Sequence, residues 1–177
     1  MSFGPKQHTS GRNGTGHKET QPKRTGPIPG NLKHYVMAKL KVTPDNETFH
    51  WNNVNPKNRR TGDCVTRAIA AFLGQTWEQT YRELAEYGLK HATAMNCPET
   101  YVPFLLSKGY EKHKMPRTAC GTKYTGKEFC KTIAEPGTCY VVAMANHLTF
   151  IAPDCRINDI WDCGDKCVGN YWTRSLL

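Results

Sequence analysis

The hydrophobic pattern changes period once along this chain, at Pro136-Gly137. Ahead of that point apolar residues recur at helical spacing, as in Val65, Ala68, Ile69 and Phe72, and again in Trp77, Tyr81, Leu84 and Ala85. Beyond it Cys139, Tyr140, Val141, Val142 and Met144 form a short apolar run of strand length, followed by His147 to Ile151. Helices gathered before strands are the pattern of an α+β domain with an antiparallel sheet, whereas a doubly wound parallel sheet needs the two kinds of element to alternate.

Local signals place the elements. A buried helix is expected over 64–73, with Gly74 at its C-terminal cap. Thr76 with Gln79 has the spacing of a capping box for a second helix, which should stop near Gly88. A third helix is expected over 100–107 despite Pro103, ending at Gly109, and Thr125 with Glu128 should open a fourth that carries Phe129, Ile133 and Ala134. Strands are expected over 138–145, 147–151 and 156–162, the last two joined by a turn at Pro153-Asp154. Upstream, 34–42 alternates like an edge strand, Pro44-Asp45-Asn46 reads as a turn, and 52–60 as a loop.

The length of 177 residues suits one domain with a hydrophobic core, expected over 33–177. Residues 1–32 are rich in Gly, Pro, Thr, Ser and Lys and nearly devoid of large apolar side chains, so they form an expected disordered basic arm. Of the net charge of +9, residues 1–34 carry six Lys/Arg against Glu19, or +5, and the domain carries the remaining +4. Such an arm would touch an acidic surface or nucleic acid only weakly, through counterion release, because no aromatic residues interleave its charges. No apolar run approaches the roughly 18 residues of a membrane span, and no apolar leader opens the chain, so a soluble protein retained whole and having no membrane contact is expected. The eight cysteines are read as thiols of a reducing cytoplasm, with no disulfide framework.

One cysteine stands apart. Cys64 opens its helix in Gly62-Asp63-Cys64-Val65-Thr66-Arg67-Ala68-Ile69-Ala70, where unpaired backbone N–H groups and the positive end of the helix favour a thiolate. A nucleophilic thiol needs a base, and the base needs a group that fixes its tautomer. His147 at the head of a strand supplies the base. If the following hairpin turns on four residues, 153–156, antiparallel symmetry sets Asp162 opposite His147; a shorter or bulged turn brings Asn158 or Asp159 near, so Asp159 is the second choice. The backbone N–H of Cys64 and the amide of Asn58, six residues upstream, are the candidate oxyanion donors. Each residue has a plainer reading: a buried thiol, a strand-edge histidine, the first residue of the Cys163-Gly164-Asp165 turn. Their order and placement together favour a catalytic constellation.

The segments Gly62 to Ile69, Ala145-Asn146-His147-Leu148-Thr149 and Asp159-Ile160-Trp161-Asp162 together resemble the small papain-like proteins of bacteriophages and their bacterial hosts, over about residues 51–173. The resemblance implies a papain-like α+β fold, with the nucleophile helix among N-terminal helices packed on a C-terminal antiparallel sheet. It also implies a cysteine peptidase or related thiol acyl-transfer hydrolase with a Cys-His-Asp triad: Cys64 as nucleophile, His147 as base and Asp162 as orienter. A polypeptide substrate, cut at a peptide or isopeptide bond, and no cofactor follow from it. Asn58 stands where the family has a glutamine, and the chain lacks the length of papain proper. The location implied is the bacterial host cytoplasm, or the virion. The alternative function is a non-catalytic phage structural or host-interaction protein that keeps the fold and uses the basic arm as its contact.

Other features are read as structural. Cys155, Cys163 and Cys167, with His147 or Cys139, are too loosely spaced for a zinc site and lack paired CxxC knuckles, so no metal is expected. Cys163 and Cys167 read as thiols in a turn rather than a redox pair. Trp51, Trp77, Trp161 and Trp172 should fill the core or wall a cleft. Lys57, Arg59 and Arg60 form a solvated loop whose place near Cys64 would let it lower the thiol pKa or meet an acidic substrate. Arg67 is expected at the surface or in a salt bridge.

Overall fold

A computed structural model describes residues 42–175 of the chain. The arm expected over 1–32, and all but the last residue of the edge strand expected over 34–42, lie outside them. Among the described residues there are four helices, α1 (Cys64–Leu73), α2 (Trp77–Lys90), α3 (Pro98–Ser107) and α4 (Gly126–Thr132). Six strands, β1 (Phe49–Trp51), β2 (Glu111–His113), β3 (Thr138–Met144), β4 (His147–Ile151), β5 (Ile157–Asp159) and β6 (Val168–Ser175), form one sheet in the order β1-β5-β4-β3-β6-β2. The domain is therefore α+β. The sheet is mixed rather than purely antiparallel, because β1 runs parallel to β5, with Phe49 paired to Ile157. Two of its strands also precede the last helix, and β6, absent from the expected elements, pairs with both β3 and β2.

Alternation along β3 sorts the core into two layers. Cys139 and Val141 face the layer built by Val65, Ala68, Ile69 and Phe72 of α1, together with Leu148, Phe150 and Trp172. Tyr140, Val142 and Met144 face Phe129 of α4, Phe49, Ile151 and Ile157. Each of these large side chains contributes about 1.5–3 kcal/mol through burial. With both faces of the sheet covered, β3 has no polar side, which is why its sequence reads as a continuous apolar run.

The helix ends follow local chemistry. Gly74 takes the left-handed conformation (φ 67°) and its N–H closes α1. Thr76 accepts from the Gln79 N–H, but the Gln79 side chain turns to Glu83 instead of completing the box. At α4 the box is complete, Thr125 and Glu128 each bonding the other's backbone N–H. The second helix runs two residues past Gly88, and a Cβ there would meet the Thr93 carbonyl oxygen at 2.6 Å. Gly88 thus permits the close return of residues 93–96 rather than ending the helix. Pro98 starts α3, where its missing N–H costs nothing.

The hairpin between β4 and β5 decides which residue faces His147. The Ala152 N–H donates to the Arg156 carbonyl and the Cys155 N–H to that of Ala152, so the loop is the three residues 153–155, with Cys155 left-handed at φ 61°. The pairs are Phe150 with Asn158 and Ile151 with Ile157. That register is one residue short of the four-residue turn expected. A one-residue slip moves every side chain to the opposite face, so Asp159 shares the face of Thr149 and His147 while Asp162 does not.

Candidate active site

Asp159 is 4 % exposed and saturated with donors. His147 Nε2 donates to its Oδ2 at 2.7 Å, as does the Thr149 hydroxyl at 2.9 Å. The Ile160 N–H at 2.7 Å and Arg67 Nη2 at 3.2 Å donate to Oδ1. Asp162, expected as His147's partner, lies elsewhere: its oxygens accept from Asn46 Nδ2 at 3.0 Å and the Gly164 N–H at 2.9 Å, with Lys127 Nζ 3.9 Å away. The one-residue register difference is the physical reason. Trp161 packs beside the imidazole, ring centroids 5.2 Å apart.

Burial disfavours the charged form of His147, but hydrogen bonds to Asp159, Cys163 and Cys64, with the Asp159 charge, push its pKa up to about 11. At Cys64 burial works against the thiolate. The hydrogen bond from His147, the Leu148 N–H and the charges of His147 and Arg67 outweigh it and hold the thiol below its ordinary 9.0. Burial, with the neighbouring Cys155, instead drives Cys130 up to about 12, and burial raises Cys139 and Cys155. Cys64 is thus set apart electrostatically as well as by its place at a helix start.

The helix start itself is arranged for this. Asp63 is the N-cap residue of α1, yet its side chain makes no cap hydrogen bond. Its carboxylate instead accepts from Asn55 Nδ2 at 2.9 Å, Trp77 Nε1 at 3.0 Å and the Arg67 guanidinium one turn on. The first N–H groups of α1 are therefore not spent on an N-cap side chain. Arg67, 6 % exposed, bonds Asp63 through one Nη and Asp159 through the other, so a single buried guanidinium ties the Cys64 helix to the strand that holds His147's partner. Its expected salt bridge is thus present, in the interior. The signal for Asp63 and Arg67 was legible as an i,i+4 pair flanking Cys64.

Asn58 does not join Cys64. It is exposed, left-handed at φ 51°, and its Oδ1 accepts from Asn53 Nδ2 at 3.0 Å, which braces the 53–59 loop. The cleft over Cys64 and His147, about 530 Å³, is lined instead by Asn96, Tyr101, Asn146 and Leu148 among others. Burial raises the Tyr101 hydroxyl pKa, and a thiolate at Cys64 raises it further. Asn96, just ahead of α3, and Asn146, just ahead of β4, are the amides at this cleft, and a search by spacing upstream of Cys64 could find neither.

The loose cysteine set does not converge. Cys155 Sγ bonds the Ala134 carbonyl at 3.5 Å and Cys167 is exposed. Among the described residues, the three groups close enough to hold an ion are His147, Asp159 and Cys163, within 4.8 Å of one another. They fit a metal poorly, since both Asp159 oxygens already accept two donors and one of these is the Arg67 cation. Of the tryptophans, Trp172 is a core residue, 1 % exposed, while Trp77 walls a second cleft beside the first. No helix among the described residues is long and apolar enough to cross a membrane. Compared with known proteins, the chain matches no family model, no curated protein and no solved structure.

Proposed function

We propose that this protein is a papain-like cysteine hydrolase that breaks a peptide or isopeptide bond through Cys64, His147 and Asp159. The observation that carries this reading is His147, bonded through Nε2 to a buried carboxylate and holding the Cys64 thiol, at a helix start, below its ordinary pKa. An imidazole raised to about 11 beside a lowered thiol favours sharing the proton as a thiolate–imidazolium pair. With Nε2 committed to Asp159, the proton exchange with Cys64 runs through Nδ1.

The reaction is acyl transfer. The Cys64 sulfur attacks the substrate carbonyl carbon, and the negative oxygen that forms is met by the N–H groups at the start of α1. His147 gives its proton to the leaving amine as the C–N bond breaks. It then takes a proton from water, which attacks the thioester and releases the acid and the Cys64 thiolate, restoring the ion pair. Asn96 and Asn146, the amides that line the cleft, replace Asn58 as the candidates for second oxyanion donor. The eight unpaired thiols suit a reducing compartment, and we place the reaction in a bacterial cytoplasm.

The test is alkylation by iodoacetamide as a function of pH, read at each cysteine by mass spectrometry. Cys64 should label fastest at pH 6, and His147→Ala should slow it by about tenfold or more, one pKa unit being a factor of ten in thiolate at pH below the pKa. If Cys64 labels like the other seven cysteines, or the variant leaves its rate alone, the hydrolase reading fails.

A further inference from the structure

Beside the Cys64 cleft lies a larger one, about 990 Å³, and the two share Gly62 and Asn96 in their walls. One wall is the loop that carries Lys57, Arg59 and Arg60; the facing wall is Trp77 and Tyr81 of α2, stacked with centroids 4.8 Å apart. We propose that this second cleft is the specificity site for the hydrolase reading above, and that it takes an acidic side chain with an adjacent aromatic or aliphatic one from the polypeptide being cut.

The charges that line it are unequal. Lys57, Arg59 and Arg60 stand against Glu78 and Asp63, and the Asp63 carboxylate is already committed to Arg67, Asn55 and Trp77. Arg60 reaches the Ile160 carbonyl at 3.4 Å, so Lys57 and Arg59, both exposed, are the cations presented to the cleft. They are presented by a braced loop. Asn55 accepts from the Lys57 N–H and its amide donates to Asp63, and Asn53 bonds Asn58 and the Arg59 carbonyl. A loop already ordered loses little entropy when an anion docks on it.

The aromatic wall is fixed in the same way. Trp77 Nε1 is bonded to Asp63 at 3.0 Å, while Tyr81 is 43 % exposed. Exposed aromatic surface beside cations suits a carboxylate next to an apolar side chain. A nucleic-acid strand fits less well: one face of Trp77 is taken by Tyr81, and a run of phosphates would have to pass Glu78. Because the two clefts share Gly62 and Asn96, a chain lying in the second can continue over the thiol of Cys64.

The experiment uses the full chain and protection of Cys64 from iodoacetamide. The probe is the octapeptide amide acetyl-Glu-Phe-Glu-Gly-Gly-Glu-Phe-Glu, whose acidic and aromatic residues flank the central Gly-Gly on both sides, so either direction of binding fills the cleft. The comparison peptide has Lys for each Glu, and a decathymidylate provides a polyanion without a carboxylate. At about 1 mM, a concentration that detects even weak binding, the acidic peptide should slow alkylation about threefold to tenfold more than the lysine peptide. That is the size two partly exposed ion pairs give. The double variant Lys57→Glu, Arg59→Glu should invert that ratio. Equal protection by both peptides, protection by neither, an unchanged ratio in the variant, or stronger protection by the oligonucleotide overturns the inference. None of these outcomes bears on the hydrolase reading, which stands or falls on His147→Ala.

Discussion

At the scale of single residues the site turns on which carboxylate holds His147. Asp159 accepts four donors inside the domain, one of them His147 Nε2 at 2.7 Å. Asp162 bonds Asn46 and Gly164. Replacing Asp159 with Asn removes the charge that helps hold the imidazole protonated, so the alkylation rate of Cys64 at pH 6 should fall by about tenfold or more. Asp162→Asn should leave that rate within about a factor of two, since its hydrogen bonds go to Asn46 and Gly164 and it is not among the groups that shift His147. The comparison separates the two by rate at one pH, and equal losses would remove Asp159 from its assigned role. Cys64 and His147 were legible because their signals are local: a thiol at a helix start and a histidine opening a strand. The orienter was legible only as a second choice, Asp159 after Asp162, because its identity depends on whether the loop before it has three residues or four. That was settled by Cys155 accepting a left-handed conformation (φ 61°), which few non-glycine residues adopt and no pattern of hydrophobicity encodes.

At the scale of elements the decisive link is between α1 and β5. Arg67 bonds Asp63 at the head of its own helix and Asp159 on the strand, each buried below 10 % exposure. Arg67→Met keeps the volume roughly but leaves two buried carboxylates without their shared cation, and should cost about 3–5 kcal/mol of stability by urea denaturation. Arg67→Lys should recover only part of this, because an ammonium is a point charge and cannot fork to both carboxylates. If Arg67→Met proves as stable as wild type, the guanidinium is not what joins helix to strand. The element bounds show the same division between local and non-local information. The start, end and cap of α1 follow from its own apolar spacing and from Gly74, and α4 from its capping box. The parallel pairing of β1 with β5 and the strand β6 were missed, because three-residue strands carry almost no period, and β6 mixes polar residues with Trp172. The second helix does stop near Gly88, at Lys90, but Gly88 itself serves a close approach. A stop signal and a close approach look alike in sequence, and only the return of Thr93 distinguishes them.

At the scale of the whole molecule the same ion pair links folding to pH. His147 has its folded pKa raised to about 11 from the ordinary 6.5, so its contribution to stability is complete below about 6.5 and is lost as pH rises through about 11. Cys64 has its pKa lowered from 9.0, so its contribution is complete above 9.0 and is lost as pH falls through the lowered value. From the higher of 6.5 and that lowered value up to 9.0 the two slopes oppose and cancel; from 9.0 to about 11 only the histidine slope remains. With thiols kept reduced, the urea midpoint should therefore change little from His147 up to pH 9 and fall more steeply beyond it. Other groups also titrate there, including buried Tyr101 and Tyr140 and half-buried Tyr171, whose pKa values burial raises. The His147→Gln variant keeps those groups and lacks the imidazole, so the difference between the two curves isolates the pair. That difference should shrink from pH 9 to 10.5, as the wild type loses what the variant never had. Parallel curves across this range would mean that the folded pKa of His147 lies below about 9, and the strong raising by Asp159 and Cys64 would be overturned.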